Sequence, residues 1–141
     1  MPLSVDERER FLAEPHIGSL AVARGADRPP LVVPVWYQYT PGGELWVMTG
    51  ANSVKARLIR AAGQFSLLVE RVEPTIRYVS VEGAVTRTEP ATRAHLEEIS
   101  RRYLPEEKVP GYMAMAEATH GEQVIFYMRP ERWFSSDLGT V

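Results

Sequence analysis

One short segment, Met48-Thr49-Gly50-Ala51-Asn52-Ser53-Val54-Lys55-Ala56-Arg57, gathers hydroxyls and cations at a spacing that could hold an anion. The apolar run Leu45 to Thr49 ends there in a glycine-containing turn, and Asn52 or Ser53 can cap a helix running to about Ala61. A helix start presents amides without intrahelical acceptors and the positive end of the backbone dipole, which suits a phosphate. Lys55 falls in the first helical turn, where a cation alone is unfavourable. An anion seated between its ammonium and those amides removes the conflict, and the Thr49 and Ser53 hydroxyls could donate to the remaining oxygens. Arg57 is a second cation close by; the plainer alternative leaves Lys55, Arg57 and Arg60 as solvated helix residues. Lysine is scarce: only Lys55 and Lys108 stand beside fourteen arginines, so a lysine at this place is worth separate attention.

Other chemistries lack their residues. There is no cysteine, which excludes disulfides, thiolate metal sites and cysteine nucleophiles. His16, His95 and His120 are scattered; His95 and Glu98 share a helix face, yet no second pair accompanies them and no metal is expected. Ser135-Ser136-Asp137 lacks the Gly-x-Ser-x-Gly elbow of a hydrolase. The acidic pairs Glu97-Glu98 and Glu106-Glu107 read as solvated surface. A net charge of −2 shows no basic stripe for nucleic acid or an anionic membrane. No apolar run is long enough to span a bilayer, and Met1-Pro2-Leu3-Ser4 followed by charges is not a signal peptide, so a cytoplasmic protein is expected. The 141 residues, taken as 1–141, fit one domain.

The elements that must position the segment follow from punctuation and periodicity. Ser4 and Glu7 form a capping box for a helix ending before Pro15. Strands are expected over Ile17–Val22, Leu31–Tyr39 and Leu45–Thr49, the last two joined by Pro41-Gly42-Gly43. Gly63 should stop the helix after Ser53. Further strands are read at Phe65–Val72 and Ile76–Thr88, where Gly83 signals a bulge or a close backbone approach. Helices at about Ala91–Tyr103 and Tyr112–Thr119, a strand at Gln123–Met128 and a short one at Trp133–Ser135 complete the chain. The reading is a mainly β (α+β) fold: a six- to seven-stranded antiparallel barrel with three or four short helices. The βαβ alternation and Gly-x-Gly-x-x-Gly of a dinucleotide fold are absent.

Thr49, Ser53 and Lys55 resemble the Tyr-Thr…Ser-Arg-Lys segment with which the pyridoxamine 5′-phosphate oxidase family holds the phosphate of FMN. Arg77-Tyr78-Val79-Ser80-Val81-Glu82-Gly83 is similar to that family's Arg-Gln-Val-Arg-Val-Glu-Gly strand. Val33-Pro34-Val35-Trp36-Tyr37 aligns with the strand along which the flavin ring lies. The resemblance covers roughly residues 10–90. It implies an FMN-binding split β-barrel acting as a homodimer, with cofactor clefts at the subunit interface. It also implies cofactor contacts from Val33, Pro34, Val35, Trp36, Met48, Thr49, Ser53, Lys55, Arg57 and Tyr78.

Several positions depart from the family pattern. Met48 replaces a Tyr, Val54 and Val33 replace arginines, Tyr78 a Gln and Gln38 a Lys. Arg132-Trp133-Phe134-Ser135 does not match the oxidase's C-terminal Trp and Arg-x-His elements. The implied relative is therefore the flavin and deazaflavin oxidoreductase branch rather than a vitamin B6 oxidase. Its members use FMN or coenzyme F-420 to transfer hydride to a small organic molecule, the cofactor doing the chemistry. Tyr37, Tyr39 and Tyr112 are possible proton donors. The alternative is a non-catalytic flavin, deazaflavin or haem carrier on the same fold, with His16 or His120 available to haem.

Overall fold

A computed structural model describes residues 1–139. The Ser4–Glu7 capping box forms as expected, the Ser4 hydroxyl accepting the Glu7 amide at 3.2 Å, and opens α1 (Val5–Ala13). There follow β1 (Gly18–Val22), β2 (Leu31–Val35), β3 (Tyr37–Tyr39) and β4 (Leu45–Gly50). Between β3 and β4, Gly43 N–H donates to Thr40 O at 2.8 Å and Gly42 takes a φ of 77°, the conformation that glycine adopts at no steric cost. Next come α2 (Val54–Ala62), β5 (Gln64–Arg71) and the long β6 (Arg77–Pro90). Then α3 (Arg93–Tyr103), a 3-10 turn at Glu106–Lys108, α4 (Val109–Thr119), β7 (Gln123–Met128) and β8 (Arg132–Asp137) complete the described chain.

The strands are antiparallel and hydrogen-bonded in the order β2-β1-β5-β6-β7-β4-β3, with β8 on β6. The order begins and ends on the same stretch of chain. The expected single strand Leu31–Tyr39 is in fact two, broken at Trp36, which brings the strands among the described residues to eight against the six or seven expected. β2 pairs with β1, β3 pairs with β4, and the run passes from one sheet to the other at that residue. β6 turns the opposite corner: Arg77 to Ala84 pair with β5, Val85 to Pro90 with β7, and the register slips between Val85 and Arg87. The sheet thereby curls into a split barrel.

Alternation fills the interior. Leu20, Leu67, Val69, Val79 and Val81 are fully buried, while Ser19, Leu68, Tyr78 and Ser80 between them point outward. Each fully buried Leu or Val contributes about 1.5–3 kcal/mol relative to exposure. Phe11 and Leu12 of α1 close one end, and Ala56 and Ile59 of α2 join the same core. α3 and α4 build two smaller apolar clusters, around Trp46, Ile99, Ile125 and Tyr127, and around Leu96, Val109, Met113 and Ala116. α4 starts at Val109, earlier than the expected Tyr112, because Pro110 occupies a position at the helix start that needs no amide donor. No helix among the described residues is long and apolar enough to cross a membrane.

Candidate functional site

At the end of β4 the side chains alternate, Val47 and Thr49 turning into the barrel and Met48 toward α3 and α4. The chain then turns through Gly50 into α2. The Ser53 hydroxyl accepts the Ala56 amide at 3.1 Å and lies 3.1 Å from the Thr49 hydroxyl, so both hydroxyls are organised around the helix start. At the other end Gly63, with φ 69°, donates its amide to Ile59 O at 2.8 Å and stops the helix. The corner is tied to β7 by Ala51 N–H donating to Glu122 O at 2.8 Å.

The cations here divide by partner. Arg60 donates to Ala51 O at 2.7 Å and its guanidinium lies 5.7 Å from the ring centre of Phe126, so it braces the corner. Arg57 is exposed and donates to Asn52 O at 3.3 Å. Lys55 is half-buried and forms no ion pair among the described residues. It lines a cleft of about 200 Å³ together with Pro34, Val35, Trp36 and Met48. The facing wall carries Ile99, Tyr112, His120 and Gln123.

Trp36, where the strand breaks, is held by aromatic neighbours. Its ring stacks on Tyr103 at 4.8 Å and 15°, and Tyr112 lies 5.4 Å away, tilted by 38°. The Tyr103 hydroxyl accepts the Tyr37 amide at 3.1 Å and donates to His16 O at 2.7 Å, serving backbone groups beside the break. Among the described residues the outer edge of β2 has no strand partner, which leaves backbone groups beside Trp36 unpaired in the sheet.

The pyridoxamine 5′-phosphate oxidase family model matches residues 4–137 of this sequence. The chain belongs to that family. Among solved structures, an F420 reductase is 26% identical, with a TM-score of 0.72 and coverage of 89% of this chain and 94% of that one. A conserved hypothetical protein from Mycobacterium tuberculosis is 27% identical, with a TM-score of 0.70 and coverage of 96% and 85%. A FAD-binding protein from Mesorhizobium loti shares the fold at 20% identity, with a TM-score of 0.66 and coverage of 99% and 98%. A search of curated proteins gave no match.

Within this pyridoxamine 5′-phosphate oxidase-family chain, the ten residues implied by resemblance do not all meet. Pro34, Val35, Trp36, Met48 and Lys55 line one cleft. Thr49 is buried beneath it, bonded to Ser53, and Arg57 points to solvent. Val33 packs against the barrel core. Tyr78 lies on the outer face of β6, opposite Glu70 of β5 and Ser136 of β8, away from the cleft of its own chain. Tyr37 and Tyr39 donate their hydroxyls to Leu12 O and Glu9 Oε1, and burial pushes both phenols well above their ordinary range. Only Tyr112 of the three tyrosines lines the cleft; burial raises its pKa as well.

The histidines separate in the same way. His16 Nε2 donates to Phe11 O at 2.9 Å, and its ring lies 4.3 Å from that of Phe11. His95, expected on a solvated helix face, completes a capping box with Thr92 and reaches the Tyr127 hydroxyl at 3.1 Å. His120 is brought to the cleft by the end of α4, a place that no spacing in the sequence announces. Among the described residues no three potential ligands cluster for a metal.

Proposed function

We propose that this chain binds a flavin or deazaflavin, FMN or coenzyme F-420, in the cleft beside Trp36 and uses it to transfer hydride to a small organic molecule. The observation that carries the reading is Lys55. It is a half-buried lysine without an ion pair among the described residues, at a helix start, in one cleft with the ring wall Pro34–Trp36. A planar cofactor with a phosphate fits this set. Lys55 and the first α2 amides would hold the phosphate, and Trp36, Val35 and Met48 would lie along the ring. When bound, the flavin or deazaflavin supplies the hydride chemistry; the chain orients it and keeps water away. Family membership and the likeness to an F420 reductase support an oxidoreductase of this kind.

The working unit in this reading is a homodimer. Pro34, Ser19, Leu68, Ser80 and Phe134 form one continuous row across the outer face of the barrel. Phe134 is 54% exposed there and Val32 62%, apolar surface of the kind that marks an interface. Tyr78 shares this face and would meet a cofactor only across a subunit boundary.

The test is a visible spectrum of the purified protein, alone and during titration with FMN, coenzyme F-420 and haem. Saturable binding of FMN or F-420 is expected, and Lys55→Ala should weaken it by about 1.5–3 kcal/mol through loss of a charged hydrogen bond. Binding of haem alone, or unchanged affinity in Lys55→Ala, overturns the reading.

A further inference from the structure

A second chamber of about 340 Å³ adjoins the cleft, and the two share Met48, His120 and Gln123 along a common wall. Beyond that wall the chamber is lined by Pro90 and Ala91 at the end of β6, Leu96 of α3 and Ala116 of α4, all apolar. Two carboxylates, Glu117 and Glu122, stand among the lining residues, Glu117 paired with Arg93. The first cleft has the opposite character, with Lys55 and no carboxylate in its lining. An anion is therefore drawn to the first space, while in the second, where Arg93 compensates Glu117, Glu122 is the carboxylate that disfavours it.

We propose that this second chamber is the substrate pocket of the cofactor site, and that it takes small neutral ring compounds bearing a carbonyl-type acceptor. The assignment rests on reading the Lys55 cleft as the cofactor site. Met48 and His120 then stand where the two ligands meet. The His120 ring forms no hydrogen bond among the described residues, so it has an N–H to donate to the acceptor oxygen. The apolar wall holds the ring, and Glu122, which no cation offsets among the described residues, disfavours acids of equal size.

The probes are acetophenone and benzoate, two ligands of equal size that differ in charge, added to cofactor-free protein with labelled methyl groups. Acetophenone should shift the Met48, Leu96 and Ala116 methyl resonances saturably, with benzoate about ten-fold weaker. Ala91→Phe, which puts a ring into the chamber where the probe would lie, should weaken the acetophenone shifts about five-fold or more while FMN or F-420 titration is unchanged. Glu122→Gln, an exposed substitution, should narrow the preference over benzoate, and His120→Leu should weaken acetophenone about five-fold. Equal binding of benzoate overturns the proposal, as does a smaller weakening of the acetophenone shifts in Ala91→Phe. Cofactor binding without acetophenone binding overturns the pocket alone. Acetophenone binding without cofactor binding overturns the cofactor site and, with it, the assignment of a substrate to the second chamber.

Discussion

Tyr103 decides more of the site than its place in a helix suggests. In the sequence it is one apolar position of a helical repeat with Leu96 and Ile99, and nothing marks its hydroxyl. In the structure that hydroxyl serves the backbone of Tyr37, 66 residues away, while the ring backs Trp36. Tyr103→Phe should keep the stack but leave the Tyr37 amide and His16 carbonyl unpaired, a loss of about 1–3 kcal/mol. Urea unfolding measures it, and a loss below a few tenths would mean that water replaces the hydroxyl. Lys55 could be singled out in the sequence because charge and position disagree locally, within one helical turn, and the structure places it in a cleft with Pro34, Val35 and Trp36. His120 and Gln123 could not, because only the packing of α4 and β7 against β4 brings them to Lys55. The same limit applies to Tyr78, whose neighbour on the strand, Val79, takes the inward direction.

Local grammar located most elements. Ser4 with Glu7, Ser53 with Gly63, and Thr40-Pro41-Gly42-Gly43 each satisfy or reverse the backbone within a few residues, so they were readable and they formed. The break at Trp36 was not, since β-branched and aromatic residues run through it without a turn signal; what breaks the strand is the demand of two different sheets on one run. Gly83 lies between these cases. Its place in an apolar strand announced a close approach, and the structure supplies the partner: a Cβ there would sit 2.2 Å from Arg129 O and 3.1 Å from Met128 Sδ. The first of these is rigid backbone at the corner where β6 changes sheets. Gly83→Ala should therefore destabilise by about 3 kcal/mol or more, at or beyond the upper end of ordinary overpacking. A thermal melt matching that of the unsubstituted protein would show that the corner has slack.

At the scale of the whole chain, the start and the end of the described structure are fastened together. Asp137 N–H donates to Met1 O at 3.0 Å, and its carboxylate accepts from Gly139 N at 2.7 Å, Arg77 Nε at 2.7 Å and Thr75 Oγ1 at 2.9 Å. These donors, the Gly139 amide foremost, lower its pKa from 3.8 to about 2. The folded form thus binds this proton more weakly than the unfolded form. Its contribution is fully present above about pH 4 and is lost as pH falls toward 2. Asp137→Asn should be less stable at neutral pH and should show a shallower loss between pH 4 and 2, followed by acid titration of circular dichroism. Parallel acid curves for the two proteins would place the sensitivity elsewhere. Assembly belongs to this scale too. Phe134→Asp, on the outer face, should convert the proposed dimer to a monomer in light scattering and weaken cofactor binding together with it. A monomeric Phe134→Asp that still binds cofactor normally would confine the site to one chain. The exposed row left no local signal in the sequence beyond alternation; it emerges only when five strands are laid in register.

The barrel's ring of strands is closed at Trp36 by covalent continuity, not by a ladder of hydrogen bonds. β2 leads from there into β1, and β3 leads into β4 and on to Thr49 and the helix of Lys55. In the proposed reading, a ring system against Trp36 and an anion at Lys55 would rest on one continuous run of chain. Only the β3–β4 hairpin and the turn into α2 separate Trp36 from Lys55 along the chain, so a shift of the strand break would be felt first at the start of that helix.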